Sequence, residues 1–284
     1  MKTIATIITV HNRISYLEKC LYSLINQSVK PDEIIICDDG SYENVADFLK
    51  SFSKQNNCLI KYVRQEFNGF RVARSRNNAV LYSKSDILVF LDSDVVITQN
   101  YIKSIYDFFQ SNYKYFITNY PVRLTQEQTD KLSLDNIAQY KFDIITFKQK
   151  FKIFRQFIKD YFYTITNKLR GISKRYSPKL RGGCLAITRE DFFAVNGYDE
   201  RLIGWGNEDD NLSKRLYIYG LNGRNIGLRE FPIHLYHTPF HNNGYRSNKN
   251  LANELKKEIN AGNFYTPYGM LNRYQKDEIF YAEF

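Results

Sequence analysis

Four short apolar runs alternate with helical segments over the first hundred residues, and this rhythm limits the possible folds of the chain. The runs begin near residues 3, 33, 59 and 86 and cover Thr3–Val10, Glu33–Cys37, Leu59–Val63 and Ile87–Leu91. Apolar residues at helical spacing fill the intervals Ile14–Asn26, Val45–Phe52 and Val72–Tyr82. Continuous apolar strands joined by helices are typical of a parallel sheet covered on both faces. We therefore expect an α/β fold whose ligand site lies beyond the carboxyl ends of the strands.

Polar side chains gather at those predicted strand ends. Strand one ends in Thr9–Asn12 (TVHN), strand two in Asp38–Ser41 (DDGS) and strand four in Leu91–Asp94 (LDSD). Asp92 and Asp94 have the spacing at which two carboxylates face one divalent cation, which in turn can hold a diphosphate. One such pair after a strand is usually an ordinary turn, but several polar strand ends at one sheet edge favour a binding site.

The alternation fades after residue 111, and no internal repeat or low-complexity linker interrupts the chain. Its second half is predicted to contain a strand at Tyr115–Tyr120, a long helix over residues 139–168, a strand at Cys184–Thr188, a helix at Glu208–Tyr219 and a strand at Phe231–His237.

The net charge of +10 belongs to one segment. Residues 141–181 hold twelve basic and two acidic residues, so the remainder of the chain is formally neutral and we predict no nucleic-acid partner. Within this segment, six apolar residues recur at steps of four and three: Phe147, Phe151, Phe154, Ile158, Tyr161 and Ile165. Four basic residues follow one position later: Lys148, Lys152, Arg155 and Lys159. Two interpretations stay open, a helix lying on an anionic membrane surface and a helix packed on the domain with a solvated basic flank.

No apolar run reaches the roughly 20 residues that a membrane span requires. The N-terminal run lacks a small-residue cleavage site, so we interpret it as a first strand and not as a signal peptide. Four cysteines lie far apart and are expected to be reduced thiols: Cys20, Cys37, Cys58 and Cys184. These features favour a cytoplasmic protein.

The order of motifs in the first half resembles glycosyltransferase family 2, the inverting nucleotide-sugar enzymes with the GT-A fold. TVHN and DDGS are followed by Asn68–Arg71 (NGFR), Arg76–Ala79 (RNNA) and then LDSD, and the similarity covers about residues 3–110. It implies a Rossmann-like, mostly parallel sheet with helices on both faces, and a set of donor-binding residues: Thr9, His11, Asp38, Asp39, Gly69, Phe70, Arg76, Asp92, Ser93 and Asp94. In that scheme Asp38 and Asp39 bind the nucleobase and ribose, Arg76 neutralises phosphate charge, and His11 stands where the family often has tyrosine.

A second motif, Gly204–Asp210 (GWGNEDD), is similar to the GWGxED region of β-1,4-galactosyltransferases and bacterial chondroitin-polymerase-type transferases. This resemblance implies that Asp209 is the catalytic base and that the acceptor contacts Trp205, Gly206 and Glu208. It also implies a divalent cation, Mn²⁺ or Mg²⁺, bound by Asp94, Asp92 and His237. His234 and His241 lie nearby and are not assigned as ligands. Alternatively, Trp205 is a core residue and the acidic pair begins a helix.

Together these features predict one GT-A domain over residues 1–240, with a donor half (1–110), an acceptor half (111–240) that contains the basic segment 141–181, and a C-terminal helical extension (241–284). The resemblance implies metal-dependent, inverting transfer of galactose, N-acetylgalactosamine or another hexose or N-acetylhexosamine from a UDP-sugar to a hydroxyl of a surface glycan or lipid-linked glycan, with peripheral membrane contact left open. The alternative is a non-catalytic carbohydrate- or membrane-binding protein on the same scaffold. A dinucleotide-dependent dehydrogenase is disfavoured because the first βα turn, Thr9–Ile14, has no glycine.

Overall fold

The computed structural model describes residues 1–170, 177–204, 206–238, 248–275 and 278–284. In this part of the chain the strands are β1 (Ile4–Val10), β2 (Glu33–Asp38), β3 (Lys61–Gln65), β4 (Ile87–Asp92), β5 (Val95–Ile97), β6 (Tyr115–Thr118), β7 (Val122–Arg123), β8 (Cys184–Thr188), β9 (Asn222–Arg224), β10 (Pro232–His234) and β11 (Ile279–Glu283). The helices are α1 (Ile14–Ile25), α2 (Val45–Asn56), α3 (Val72–Leu81), α4 (Tyr101–Ser111), α5 (Gln126–Lys131), α6 (Leu134–Ala138), α7 (Phe147–Arg170), α8 (Arg189–Ala194), α9 (Glu208–Tyr219) and α10 (Lys249–Asn260). None of these helices is both long and apolar enough to cross a bilayer.

A mixed sheet forms the centre of the fold, with strand order β11-β3-β2-β1-β4-β8-β6-β9 over the described residues. The four strands predicted from the first hundred residues pair in parallel, which confirms the α/β class. All seven residues of β1 are buried because helices cover both faces of the sheet. One apolar core contains side chains of α1, α2 and α4, and the other contains side chains of α3, α8 and α9.

A second, three-stranded sheet, β5-β10-β7, is a feature that the sequence patterns did not predict. Strand β5 follows directly after Asp94, and it pairs antiparallel with β10, so that Val95 lies opposite His234. The N–H of Leu235 also donates a hydrogen bond to the carbonyl oxygen of Asp94, at 2.9 Å. This small sheet therefore places the 234–237 segment beside the end of β4.

The C-terminal extension is only partly helical. Helix α10 agrees with the prediction, but β11 pairs antiparallel with β3 and forms the outer strand of the large sheet. The extension is therefore integrated with the first half of the chain, because an unpaired β3 edge would expose a row of backbone donors and acceptors. The predicted boundary at residues 240–241 lies outside the described residues.

Helix α7 begins at Phe147, later than predicted, and two short capped helices, α5 and α6, precede it. Its packed face carries Ile153, Asp160 and Thr164, while five of the six predicted stripe residues are exposed and Ile165 is half-buried. Phe147 is 83% exposed and Phe151 is 54% exposed. Helix α7 is thus packed on the domain with a solvated basic flank, but its apolar stripe does not form the packed surface, and contact of the stripe with a membrane stays a prediction. The packed face combines an apolar and a polar part: Ile153 belongs to an apolar cluster with Val122 and Ile233, Asp160 accepts a hydrogen bond from Asn225, and the Thr164 hydroxyl donates to the carbonyl oxygen of Gly223.

Candidate active site

The strand register brings the ends of β1, β2 and β4 to one edge of the sheet. Val10 pairs with Asp38, and Thr9 pairs with Asp92. The N–H of Ser93, which is buried, donates to the carbonyl oxygen of Thr9 at 2.9 Å. The three polar strand ends therefore meet, as the sequence predicted.

Arg76 of α3 lies at the centre of this edge and is 3% exposed. Its Nη2 lies 2.8 Å from Asp92 Oδ1, and its Nη1 lies 3.3 Å from Asp209 Oδ1. Its Nε donates to the hydroxyl of Thr9 at 3.3 Å, and the guanidinium lies 5.3 Å from the ring centroid of Tyr198. The resemblance implied a phosphate contact for Arg76, but both terminal nitrogens are directed at protein carboxylates. In this structure Arg76 neutralises and holds the acids of the site.

Two glycines, Gly182 and Gly183, form the wall behind these acids. A Cβ atom at Gly182 would collide with Asp209 and Arg76, and one at Gly183 would collide with the carboxylate of Asp92. The N–H of Gly182 donates to Asp209 Oδ2 at 2.9 Å. Only glycine allows this close approach, so the Arg-Gly-Gly sequence, to which no role was assigned, is part of the site.

The acidic pair Glu208–Asp209 opens helix α9, where the free N–H groups favour negative charge. Burial raises the pKa of Asp209, while the charge of Arg76 and the amide of Gly182 oppose that rise. Burial and the neighbouring Asp209 charge raise the pKa of Glu208 to about 8. Burial therefore shifts both carboxyl groups towards their protonated forms, while the Arg76 charge and the Gly182 amide favour the ionised form of Asp209.

Asp94 and two histidines form a candidate metal site. Asp94 Oδ2 lies 2.9 Å from His237 Nε2, and Asp94 Oδ1 lies 3.7 Å from His234 Nε2. Among the described residues these three side chains place one ligand atom each within 4.8 Å of one another. The set does not include Asp92, whose carboxylate pairs with Arg76, and it includes His234, which the sequence analysis left unassigned. Because β10 carries His234 and β5 follows Asp94, the small sheet explains this addition.

The donor atoms of this cluster fit a divalent cation. Asp94 is buried, and its Oδ1 atom has no hydrogen-bond partner. A buried carboxylate oxygen without a partner is costly unless another positive group satisfies it. One carboxylate and two imidazoles form a ligand set that suits Mn²⁺ and other first-row divalent ions.

Aromatic rings line the opposite end of the edge. The ring of His11 stacks on Phe67 with centroids 5.0 Å apart, and Tyr42 lies 6.1 Å from His11. Tyr42 is 79% exposed and Phe67 is 44% exposed, so both offer apolar surface to a planar ligand. Neither Tyr42 nor Phe67 was predicted, because each stands in a loop without a recognisable pattern.

Asp38 and Asp39 lie beneath these rings and are almost fully buried. Asp38 accepts hydrogen bonds from the hydroxyls of Tyr62 and Ser41, both at 2.6 Å. Asp39 accepts from the N–H of Arg71 at 2.7 Å, and burial raises its pKa. The two carboxylates thus shape the loop, and their contact with a nucleobase or ribose stays a prediction.

The donor and acceptor motifs touch each other. The N–H of Gly204 donates to the carbonyl oxygen of Phe70 at 2.6 Å, and Gly69 adopts a positive φ of 75° beside Ile203. Trp205 lies outside the described residues, so its acceptor contact stays a prediction. The carbonyl oxygen of Gly206 accepts a hydrogen bond from the side chain of Asn248.

The fold is of the GT-A type. The chain belongs to glycosyl transferase family 2, whose model matches residues 5–191. A second model, described as the N-terminal domain of galactosyltransferase, matches residues 167–238.

The named relatives are only 26–27% identical to the chain. The chain is 26% identical over 244 residues to validoxylamine A glucosyltransferase of Streptomyces hygroscopicus subsp. limoneus, an alignment that covers 77% of this chain and 48% of that protein. It is 27% identical over 231 residues to chondroitin synthase of Escherichia coli, covering 78% of this chain and 33% of that protein. The chain therefore spans between a third and a half of the length of these curated relatives.

Solved structures share the fold. S. aureus TarS 1-349 in complex with UDP-GlcNAc superposes with a TM-score of 0.63 at 15% identity, over 92% of this chain and 66% of that one. GalNAc-T7 with UDP, GalNAc and Mn²⁺ superposes with a TM-score of 0.62 at 18% identity, over 92% of this chain and 50% of that one.

Proposed function

We propose that this chain is a metal-dependent, inverting glycosyltransferase that moves a hexose or N-acetylhexosamine from a UDP-sugar to a hydroxyl group of a glycan. The observation that carries the proposal is the arrangement around Arg76, which places the acid Asp209 beside Asp92, while Asp94 and two histidines form a cation site at the same strand end. The similarity to TarS and GalNAc-T7, whose structures hold UDP-GlcNAc and UDP with GalNAc, supports a UDP-linked donor.

In the proposed reaction, Asp209 accepts the proton of the acceptor hydroxyl as the hydroxyl oxygen bonds to the anomeric carbon. The bond from that carbon to the diphosphate oxygen breaks, and its electron pair leaves with UDP. Because the acceptor attacks from the side opposite the leaving group, the anomeric configuration inverts. A cation held by Asp94, His234 and His237 would supply positive charge that stabilises the departing diphosphate.

The acceptor side of the site consists of residues 181–183 and the start of α9. Glu208 can form a hydrogen bond with an acceptor hydroxyl while Asp209 takes the proton of the attacking hydroxyl, because the two carboxyl groups are adjacent at the start of α9. The built network around Asp209 favours this enzyme over a non-catalytic binding protein.

The exposed face of α7 supports a peripheral contact with an anionic membrane. The apolar stripe residues Phe147, Phe151 and Phe154 face solvent, with ring centroids 6.4 Å apart along the helix. Lys148 and Lys159, on its basic flank, are also exposed. Exposed aromatic residues beside lysines suit a helix that lies in the lipid headgroup region. Such a contact would bring the site to a lipid-linked acceptor.

The proposed activity can be tested with a panel of UDP-sugars. UDP release should appear with Mn²⁺ or Mg²⁺, disappear with EDTA, and be lost in Asp94→Ala. Full UDP release in EDTA, or no binding of UDP by calorimetry in the presence of Mn²⁺, would overturn the proposal.

A further inference from the structure

Tyr120 stands between two cationic side chains at the edge of the candidate active site. The Nζ atom of Lys152 lies 5.7 Å from the centroid of the Tyr120 ring, and the Cζ atom of Arg181 lies 4.9 Å from it. The three residues come from different elements, since Tyr120 follows β6, Lys152 belongs to α7 and Arg181 precedes β8. Three elements thus converge on one cluster, which we name the Tyr120 cluster.

The Tyr120 cluster is joined directly to the proposed base. Arg181 immediately precedes Gly182, whose N–H donates to Asp209 at 2.9 Å. The N–H of Arg181 itself donates to the hydroxyl of Thr118, at 3.0 Å. The loop is therefore fixed at both residues, and consecutive Cα atoms are only about 3.8 Å apart. The Tyr120 cluster therefore lies next to the residue whose N–H contacts Asp209.

The cluster carries more positive than negative charge. The Nη1 atom of Arg181 is buried without a hydrogen-bond partner, and it lies 3.7 Å from Asp160. Asp160 already accepts hydrogen bonds from Gln156 and Asn225, both at 2.8 Å. Lys152 is exposed and has no carboxylate within 4.0 Å in the part of the chain that the structure describes. Of the two cations, only Arg181 has a neighbouring carboxylate, that of Asp160, so the described residues of the cluster carry a net positive charge.

We propose that Tyr120, Lys152 and Arg181 form an acceptor subsite that binds the phosphate or carboxylate of an anionic glycan. The inference rests on the proposed function, because it takes the acceptor to be a glycan. Arginine binds phosphate and carboxylate through paired N–H groups, and lysine adds a mobile positive charge. The Tyr120 ring holds the two cations together through cation–π contacts. The substrate class is thus a charged surface polysaccharide or its repeat unit.

Binding of short fluorescent oligosaccharides to the 284-residue chain, saturated with UDP and Mn²⁺, tests this subsite. The probes are a chondroitin hexasaccharide with carboxylates, a ribitol-phosphate hexamer with phosphodiesters, and neutral chitohexaose. We expect at least one anionic probe to bind about tenfold more tightly than the neutral one, which corresponds to one charge-assisted contact of roughly 1.4 kcal/mol. The two anionic probes distinguish carboxylate from phosphate recognition.

Variants with matched charge changes test whether the anionic probe binds at the Tyr120 cluster. The double variant Lys152→Gln with Arg181→Gln should bind the preferred anionic probe at least tenfold more weakly. Replacing Arg181 by Lys in place of Gln should recover part of this affinity. Lys150→Gln is the control, because Lys150 lies on the same helix, is exposed and contributes the same charge. UDP affinity, measured by calorimetry, should be unchanged in every variant, so failure of this proposal is distinguishable from failure of the donor site.

Equal binding of charged and neutral probes would overturn the proposal. So would unchanged anionic binding in the double variant, or an equal loss in Lys150→Gln. If the double variant instead loses binding only to phosphatidylglycerol vesicles, the Tyr120 cluster belongs to a membrane surface and the subsite is refuted.

Discussion

Arg76 and Asp209 lie 3.3 Å apart, although they come from helices in different halves of the chain. The second terminal nitrogen of Arg76 pairs with Asp92, at the end of β4, so one guanidinium joins the strand-end acid to the proposed base. Arg76 is almost fully buried, and a buried ion pair loses stability when one partner is removed. The geometry of the base therefore depends on a residue of the donor half.

Replacing Asp209 by Asn should abolish sugar transfer and leave UDP affinity nearly unchanged. The substitution keeps the shape of the side chain but removes the group that accepts the proton, and loss of a general base typically costs about 10²–10⁴-fold in rate. Asp210→Asn is the matched control, since Asp210 stands one residue further along α9, about 100° round the helix. Greater loss of kcat in Asp210→Asn than in Asp209→Asn would reverse the assignment.

Removing the charge of Arg76 should move the acid limb of the pH–rate profile upward. Burial already raises the pKa of Asp209, and Arg76 opposes that rise because it stabilises the ionised carboxylate. In Arg76→Met the pKa of Asp209 should rise further, so the base is protonated up to a higher pH. Arg76→Lys keeps a positive charge and should shift the limb less. An acid limb that stays in place in Arg76→Met would contradict this account.

His234 should contribute to metal affinity although it was not predicted as a ligand. Titration of the chain with Mn²⁺ alone, followed by electron paramagnetic resonance, should show affinity reduced by at least about tenfold in His234→Ala, in line with the cost of disturbing metal-site residues. His237→Ala should reduce it at least as much. His11→Ala, which changes a histidine outside the cluster, is the control. Mn²⁺ affinity equal to that of the unmodified chain would remove His234 from the site.

Reversing two charges on α7 should weaken binding to anionic vesicles. Each lysine near such a surface contributes about 1 kcal/mol, so Lys148→Glu with Lys159→Glu should lower the bound fraction severalfold in low-salt flotation. The control Lys50→Glu with Lys54→Glu makes the same charge change at exposed positions of α2. The membrane contact is refuted if both double variants float like the unmodified chain.

Glu33→Gln should destabilise the fold in a pH-dependent manner. Burial alone would raise the pKa of Glu33, but hydrogen bonds from Lys61, Ser85 and Ser83 outweigh it and lower the pKa to about 2. The stabilisation is therefore complete above the ordinary value of 4.5 and is lost as the pH falls towards 2. Urea unfolding at pH 7 should show a loss of about 1–3 kcal/mol. That difference should shrink at pH 3.5, while Glu254→Gln should have little effect at either pH.

The parallel half of the sheet was predictable because its strands are buried on both faces and therefore read as continuous apolar runs. The bounds of Cys184–Thr188 and Glu208–Tyr219 also agree with the prediction. Strand β5, Val95–Ile97, was missed because three residues carry no readable period and its pairing with β10 is non-local.

Periodicity left two environments open for the apolar stripe of α7, a membrane surface and the packed domain. The choice could not be made from the sequence, because the face that packs carries the isolated residues Ile153 and Asp160, which follow no readable pattern. Arg76 is a similar case, because the sequence identifies its motif but not the carboxylates that reach it from β4 and α9. The spacing of motifs along the sequence predicts where the strands end. Which charged side chains lie together at those ends depends on tertiary contacts.

Strand β11 has a consequence for the order in which the molecule can fold. It supplies the partner of β3, although Glu283 and Lys61, which face each other, are separated by most of the chain. During synthesis, β1 to β4 can assemble as soon as they emerge, but the outer edge of β3 must wait for residues 279–283. An open strand edge is a pairing site for other chains, and non-local pairings form slowly. The edge of β3 is therefore open to misassociation until β11 has left the ribosome.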